Sequence, residues 1–436
     1  YVNYRRLPYL MELMLNQYSR EFISSLKNFA GWSELDVKVR NNALLMNGFV
    51  HPANRNSNYM QVFKKLEPVD ISLPEYFPDN TSAFFMLGMN DFTPYRKAYR
   101  SYLKSRGNNH KYEHHLNKVQ RELKVDMEAI FHKITDEQMA AVFTDVTKPV
   151  NSSHAYAFFK INSKKEALKR LMPMLKNYAE FKSMALDELI SEHEVSEEEK
   201  FLIYRMPVMK IASKLFGMVF DRIPTNFFTF YEDVLVMARS KEALVQYRNM
   251  MEQEQVLAED EQYDDFAHAL SSSANFYMYA NVSRSVDLAS YFMNADTRNY
   301  FHNNLGVFSK FEAAGLQFAS NQDMIYSNMY LKFNPETRLF QNLVWEKELE
   351  APVVSKPALV RNHYTGENEI FVQDEENRVY LVDKSGEVSW QKQLDERIQS
   401  EIYQIDYFGN DKLQMLFNTE NRIHLNKVRP GWRESR

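Results

Sequence analysis

Any chemistry this chain performs has to come from histidines, carboxylates, hydroxyls and phenols, because cysteine is absent. That absence removes disulfides, thiolate catalysis and zinc–cysteine sites together. The densest metal-like group is His110, Glu113, His114 and His115 in GNNHKYEHHLNK. On a helix, His110 and His114 share a face at i, i+4, the spacing of a ligand pair. No third ligand is identifiable, and Asn108-Asn109 places a loop just before them. An exposed helix start is therefore preferred to a metal site. His193-Glu194 opens like a zincin motif and fails at Glu197, where the second histidine belongs. Residues 96–124 carry nine Lys or Arg, interleaved with Tyr95, Tyr99, Tyr102 and Tyr112. Single-stranded nucleic-acid binders use that mixture. Here Tyr95, Tyr99 and Tyr102 fall on one helical face, so a core face backed by a solvated basic face is preferred, and no nucleic-acid partner is expected. Serine, histidine and aspartate are all present, but a triad assembles only in three dimensions.

Glycine scarcity closes another class. The chain has 11 glycines in 436 residues, and the closest two are nine apart. Dinucleotide fingerprints, phosphate-cradling loops and nucleophile elbows need glycines a few residues apart, so none can form. Two acidic stretches, 187–199 and 252–265, carry seven acids each and read as exposed helix ends and loops. Asp374-Glu375-Glu376-Asn377 is acidic too, but sits where a hairpin turn belongs.

The elements that would position these residues are read from periodicity. Residues 8–29 place Leu10, Leu13, Met14, Tyr18, Phe22 and Leu26 at helical spacing after Pro8. Residues 34–40 and 43–50 flank Asn41-Asn42, a hairpin signal. A strand-then-helix module recurs at 82–105, 154–178, 226–251 and 275–294, with Ser163 and Ser283 placed to cap helices. Further strands are expected at 140–146, 215–221, 307–320 and 323–333, the last two joined at Asn321-Gln322. Together these predict an α+β region over 1–337, with repeated strand-helix-strand units, largely antiparallel sheets, helices on one face, and the pattern of an internal duplication.

Bulk composition agrees with a folded chain. The length suits two or three domains, and 31 Phe and 26 Tyr supply large cores. A net charge of −5 gives no global attraction to nucleic acid or anionic membrane. No apolar run reaches the length of a membrane span. The chain opens at Tyr1 rather than Met, which fits either a removed leader or a fragment of a longer chain.

After residue 338 a repeat takes over. Trp345 opens WEKEL and Trp390 opens WQKQL; Glu376-Asn377-Arg378 returns as Glu420-Asn421-Arg422; Gly366 pairs with Gly409 and Gly386 with Gly431. A period of 42–45 residues with four short strands per unit is propeller-blade spacing. Residues 379–394, VYLVDKSGEVSWQKQL, resemble the repeat of quinoprotein-type (PQQ-like) β-propellers, with Tyr380, Asp383, Gly386 and Trp390 matching position by position. In that family the Trp and Gly dock and turn blades and are not catalytic. The second copy departs from the pattern at His424, Asn426 and Pro430. The order of parts, with IFVQDEENRVYLVD and KLQMLFNTENRIHL, is similar to uncharacterised bacterial envelope proteins that join an α+β domain of unknown function to such a propeller. The resemblance implies an exported or tethered protein facing the periplasm, and implies no reaction.

The expectation is thus an α+β region, then about two propeller-like blades over 338–436 that form a truncated piece. The function expected is a non-enzymatic scaffold or interaction protein of the cell envelope with protein partners and no cofactor. A small-ligand or glycan receptor is the alternative. A quinone-dependent enzyme comes third, because it needs a closed ring around a cofactor.

Overall fold

The computed structural model describes residues 1–17, 23, 27–51, 58–144, 155–194, 200–322, 324–335, 347, 349–363, 367–410 and 412–427. The chain divides into two compact units, Tyr1–Leu339 and Phe340–Arg436. It is a mixed α+β protein, and every β-ladder among the described residues is antiparallel.

The first unit opens with β1 (Val2–Asn3), α1 (Leu7–Glu12), and the hairpin β2 (Trp32–Arg40) and β3 (Ala43–His51), followed by β4 (Val69–Asp70) and β5 (Thr81–Gly88). Three helices follow, α2 (Phe92–Ser105), α3 (Asn109–Leu123) and α4 (Met127–Ile134), and then β6 (Thr135–Thr144), β7 (Ala155–Ile161) and α5 (Lys164–Lys182). Next come β8 (Ile190–Glu194), β9 (Lys200–Arg205), α6 (Ile211–Phe216), β10 (Phe227–Tyr231), β11 (Val234–Ala238), α7 (Lys241–Glu252) and α8 (Glu261–Ala267). The unit ends with β12 (Ser273–Ala274), β13 (Phe276–Asn281), α9 (Val286–Phe292), α10 (Ala295–Asn303), α11 (Leu305–Phe308), β14 (Phe311–Asn321) and β15 (Met324–Phe333).

Thirteen strands form one sheet in the order β1-β2-β3-β15-β14-β13-β5-β6-β7-β11-β10-β9-β8. Its middle is palindromic. β5 leads through helices to its neighbour β6 and on to β7; β13 leads through helices to its neighbour β14 and on to β15. The two start strands lie side by side, with Phe85 opposite Met278. These are the first and fourth modules read from the sequence, and their strands follow in mirrored order on the two sides of the β5–β13 pair.

Alternation along the central strands feeds two cores. Phe84, Met86, Val142, Phe158 and Tyr279 lie on one face and are covered by Leu244 and Tyr247 of α7 and Phe266 of α8. Leu87, Ala141, Phe159 and Phe276 lie on the other, under Tyr95, Phe131, Leu171 and Phe216 of α2, α4, α5 and α6. Helices therefore cover both faces, not one as expected. The central strands show why: β6 and β11 are buried almost throughout, the mark of strands sandwiched on both sides.

Caps fix the helix starts. Asp91, Asp126, Ser163, Ser240 and Asp260 each accept a backbone N–H of the first turn. Ser283 does not cap; α9 begins after Ser285, and the Asn281 side chain accepts the Arg284 N–H instead. The expected strand 215–221 is α6 followed by a 3-10 turn over Met218–Phe220. A short apolar run such as 215–220 reads as strand or buried helix equally well. Gly217, at φ +92°, ends the helix, and a side chain there would meet the Tyr99 hydroxyl at 3.1 Å. The expected helix over 8–29 stops at Glu12, and Leu15 already bridges Met293; Tyr18, Phe22 and Leu26 lie outside the described residues. Residues 307–308, expected to open a strand, instead end α11, and the strand begins at Phe311.

The second unit contains two meanders. The first is β16 (Ala358–Arg361), β17 (Asn368–Gln373), β18 (Arg378–Val382) and β19 (Val388–Gln393). The second is β20 (Tyr403–Ile405), β21 (Gln414–Asn418) and β22 (Ile423–Lys427). They stack face to face: Val360, Phe371, Val379 and Leu381 of the first bury against Met415 and Phe417 of the second, with the Phe371 and Phe417 rings 5.6 Å apart.

Candidate functional site

In the first unit, polar side chains gather beneath α2–α4. Phe92, Tyr95, Tyr99 and Leu103 make the buried stripe of α2, and Tyr112 is buried on α3. Tyr95, Tyr99 and Tyr112 are thus core, and Tyr102 is half-buried against them. The Tyr59 and Tyr95 hydroxyls donate to the Phe216 carbonyl at 3.0 and 3.2 Å, satisfying an acceptor the end of α6 leaves unpaired. Glu128 of α4 is 9% exposed and accepts Tyr112 at 2.7 Å and Arg100 at 2.6 Å. One carboxylate therefore fastens three helices. Burial, then the Glu128 charge, pushes the Tyr112 phenol above its ordinary range.

His132 follows one turn after Glu128. Its Nε2 lies 3.5 Å from the Thr93 hydroxyl, and its Nδ1 is enclosed with no hydrogen-bond partner. The cavity among Tyr95, Tyr99, Glu128 and His132 measures about 20 Å³, room for about one water. Carboxylate, phenol and imidazole meet here, and the hydrogen bonds of the first two tie the helices together. Nothing in the sequence around Glu128 signals burial; only Tyr112 sixteen residues before it and Arg100 on α2 give it partners.

The three histidines lie on α3. His110 and His114 do share a face, with rings 6.4 Å apart and nearly parallel. His115 lies off that face, its pKa lowered by burial and then by Lys214 and Lys118. Among the described residues, no group of three or more His, Asp or Glu is arranged to hold a metal ion. The acidic stretches are tied into structure where described: Glu192 and Glu194 on edge strand β8 pair with Lys200, and Asp260 caps α8 while pairing with Arg284.

In the second unit the repeat is written in hydrogen bonds. The Val354 N–H donates to the Gln373 carbonyl and the Gln399 N–H to that of Asn418, both at 2.9 Å. The Gln373 N–H donates to the Ser355 hydroxyl at 2.7 Å, and the Asn418 N–H to Ser400 at 3.0 Å. Isolated bridges join Val353 to Asp374 and Ile398 to Thr419. Each second partner sits 45 positions after the first. Asp374, fully buried, accepts the Tyr380 hydroxyl at 2.7 Å and the Arg378 N–H at 2.8 Å. At the matching place His424 Nε2 lies 3.2 Å from the Thr419 hydroxyl.

The other repeat residues take turn and docking roles. Asp383 accepts the N–H groups of Ser385 and Glu387, and the Ser385 hydroxyl, holding the turn at Gly386, whose φ is +86°. Gly409 lies in the β20–β21 turn at φ +62°. Trp390, paired with Leu381, packs on the core between the meanders. Trp345, Gly366 and Gly431 lie outside the described residues.

No family model matches this chain, and no curated protein matches it. Among solved structures, the Pyrococcus horikoshii protein Ph1500 is similar over 29% of this chain and 89% of its own, at 12% identity and a TM-score of 0.14. At that score the likeness carries no argument. Among the described residues, no helix is long and apolar enough to cross a membrane.

Proposed function

We propose that this chain is a non-enzymatic interaction or scaffold protein of the cell envelope. One observation carries the interaction reading: an open apolar wing on the 13-stranded sheet. Val37 and Val39 of β2 are 58% and 79% exposed. They stand opposite Met46 and Leu44 of β3, which stand opposite Met329 and Leu331 of β15. The other side of β2 carries Glu34, Asp36, Lys38 and Arg40. A strand that alternates this cleanly is built to cover its apolar side, and exposed apolar rows mark binding surfaces. Methionine in such rows adapts to more than one partner shape.

Envelope placement rests on the resemblance of the C-terminal segment. The stacked meanders are read as blades of a quinoprotein-type propeller, a reading supported by their repeated hydrogen bonds and face-to-face packing. A receptor for small ligands or glycans remains the alternative. It needs a stacking platform other than the buried tyrosines of α2 and α3.

The test is a photo-crosslinking amino acid at Val39, in cells fractionated by osmotic shock. A discrete crosslinked partner in the periplasmic or envelope fraction, lost in Val37→Asp/Val39→Asp, is the expected result. A cytosolic protein with no crosslink would overturn the proposal.

A further inference from the structure

The net charge of −5 conceals a segregation across the large sheet. One face carries α2, α3, α4, α5 and α6, which hold 15 Lys or Arg against five acids. On the other face α7 and α8 hold two Lys or Arg against five acids. The apolar side chains of the five basic helices point inward to one core, so their charges stand on the solvent side of that layer. Three of its five carboxylates are already paired within it: Glu128 with Arg100, Glu122 with Lys118 and Glu166 with Arg170. Arg96, Lys97, Lys104, Lys111, Arg121 and Lys176 are all exposed. The same side also turns large apolar groups outward. Phe181, at the end of α5 with the Lys182 ammonium 5.2 Å from its ring, is 53% exposed. Met209, beside Lys210 and just before α6, is 72% exposed. Leu10 and Leu13, on and just after α1, are 59% and 73% exposed, while Leu7 of that helix packs against the same core.

We infer that this helical layer docks on an anionic phospholipid bilayer, its bases on the headgroup phosphates and Phe181 and Met209 buried shallowly between them. Charge alone would suit any acidic partner, and the apolar groups set among the bases select one. A bilayer offers anionic headgroups and, just beneath, hydrocarbon that takes such side chains. Single-stranded nucleic acid needs rings to stack on, and Tyr95, Tyr99 and Tyr112 are shut in the core. A second copy offers its acidic α7–α8 layer, but no large exposed apolar group lies on those two helices to meet Phe181 and Met209. That acidic layer instead orients the molecule, since an anionic surface attracts one face and repels the other. The inference adds a membrane to the protein partner read at the β2–β3 wing. Its test needs only lipid and the purified chain, so the two fail separately.

The experiment is vesicle flotation of the whole chain. Phosphatidylcholine vesicles with about one-third phosphatidylglycerol should carry the protein at low salt, and about 0.5 M salt should release it. Pure phosphatidylcholine vesicles should not carry it. Lys97→Glu/Lys104→Glu/Arg121→Glu should weaken binding about tenfold or more, since each base near such a surface contributes separately. All three side chains are exposed, and unchanged near-ultraviolet dichroism will show that the variant folds. Met209→Cys gives a second readout, because the protein has no other thiol. A polarity-sensitive dye there should shift to the blue on the anionic vesicles, while the same dye at Asn249→Cys, exposed on α7, should not. A chain that ignores the anionic vesicles, binds neutral ones equally, keeps its affinity after the triple reversal, inserts the dye at 249 instead of 209, or leaves the vesicles for a single-stranded oligonucleotide would overturn the inference.

Discussion

Asp374 and Thr419 occupy equivalent places in the two C-terminal meanders, and each receives the polar tip of a side chain two strand positions along. In the first meander the pair is a carboxylate and a phenol, both sealed from water; in the second it is a hydroxyl and a half-buried imidazole. The backbone repeat fixes where a side-chain bond must form. Asp374 and Thr419 are both buried, so charge and the partner's exposure fix how much depends on the bond: an enclosed carboxylate that loses a buried phenol costs more than a hydroxyl that loses a half-buried ring.

That difference can be broken in order of size. Asp374→Ala removes the acceptor of both Tyr380 and the Arg378 N–H, and should cost about 3 kcal/mol, read as lost hydrogen-exchange protection of the β17 and β18 amides. A loss below about 1 kcal/mol would mean the two meanders do not differ in this respect. Tyr380→Phe keeps the ring and strands one carboxylate oxygen, for about 1.5 kcal/mol by the same measurement. Thr419→Val should cost no more than about 1 kcal/mol in β21 and β22. Ser355→Ala and Ser400→Ala remove like bonds, so their effects should agree within about 0.5 kcal/mol; a larger gap would show that the meanders differ in more than the Asp374 and Thr419 pairs.

Acid supplies the smallest and most selective test. Burial, then Lys392 and Arg422, lowers the pKa of His424 from 6.5. The folded state favours the neutral ring, so its contribution is complete above pH 6.5 and fades as pH falls below it. Glu396 behaves likewise lower down: hydrogen bonds from Asn421 hold its pKa at about 2, so the stabilisation present above 4.5 is lost between there and about 2. Tyr380 is pushed above 10, first by burial. Moving from pH 7 to 5 should therefore loosen β21 and β22 and leave the Tyr380 bond of the first meander unchanged. Equal loosening of both would contradict this.

The repeat was legible because turns and docking residues impose local rules: Asp383 and Gly386 announce a turn wherever they fall. The two-stranded hairpins at Asn41-Asn42 and Asn321-Gln322 were legible for the same reason, and Gln322 does take φ +56°. Asp374 was legible only as a turn residue, since its burial depends on strands packed around it. The fate of 215–221 hung on one glycine inside an apolar run. The two-sided sheet escaped notice because Phe84 and Phe85 look alike in sequence while facing opposite cores. Glu128 carried no signal, since its partners lie on other helices.

The strand order also sets a schedule for a chain delivered from its N-terminus. The β2–β3 hairpin is complete at His51, but the strand it pairs with begins at Met324. The central pair has the same character, joining Phe85 to Met278. Pairings this distant close slowly. The hairpin's valines and Met46 must therefore wait in water while residues 52–323 emerge, and that interval is when a holding chaperone would matter most.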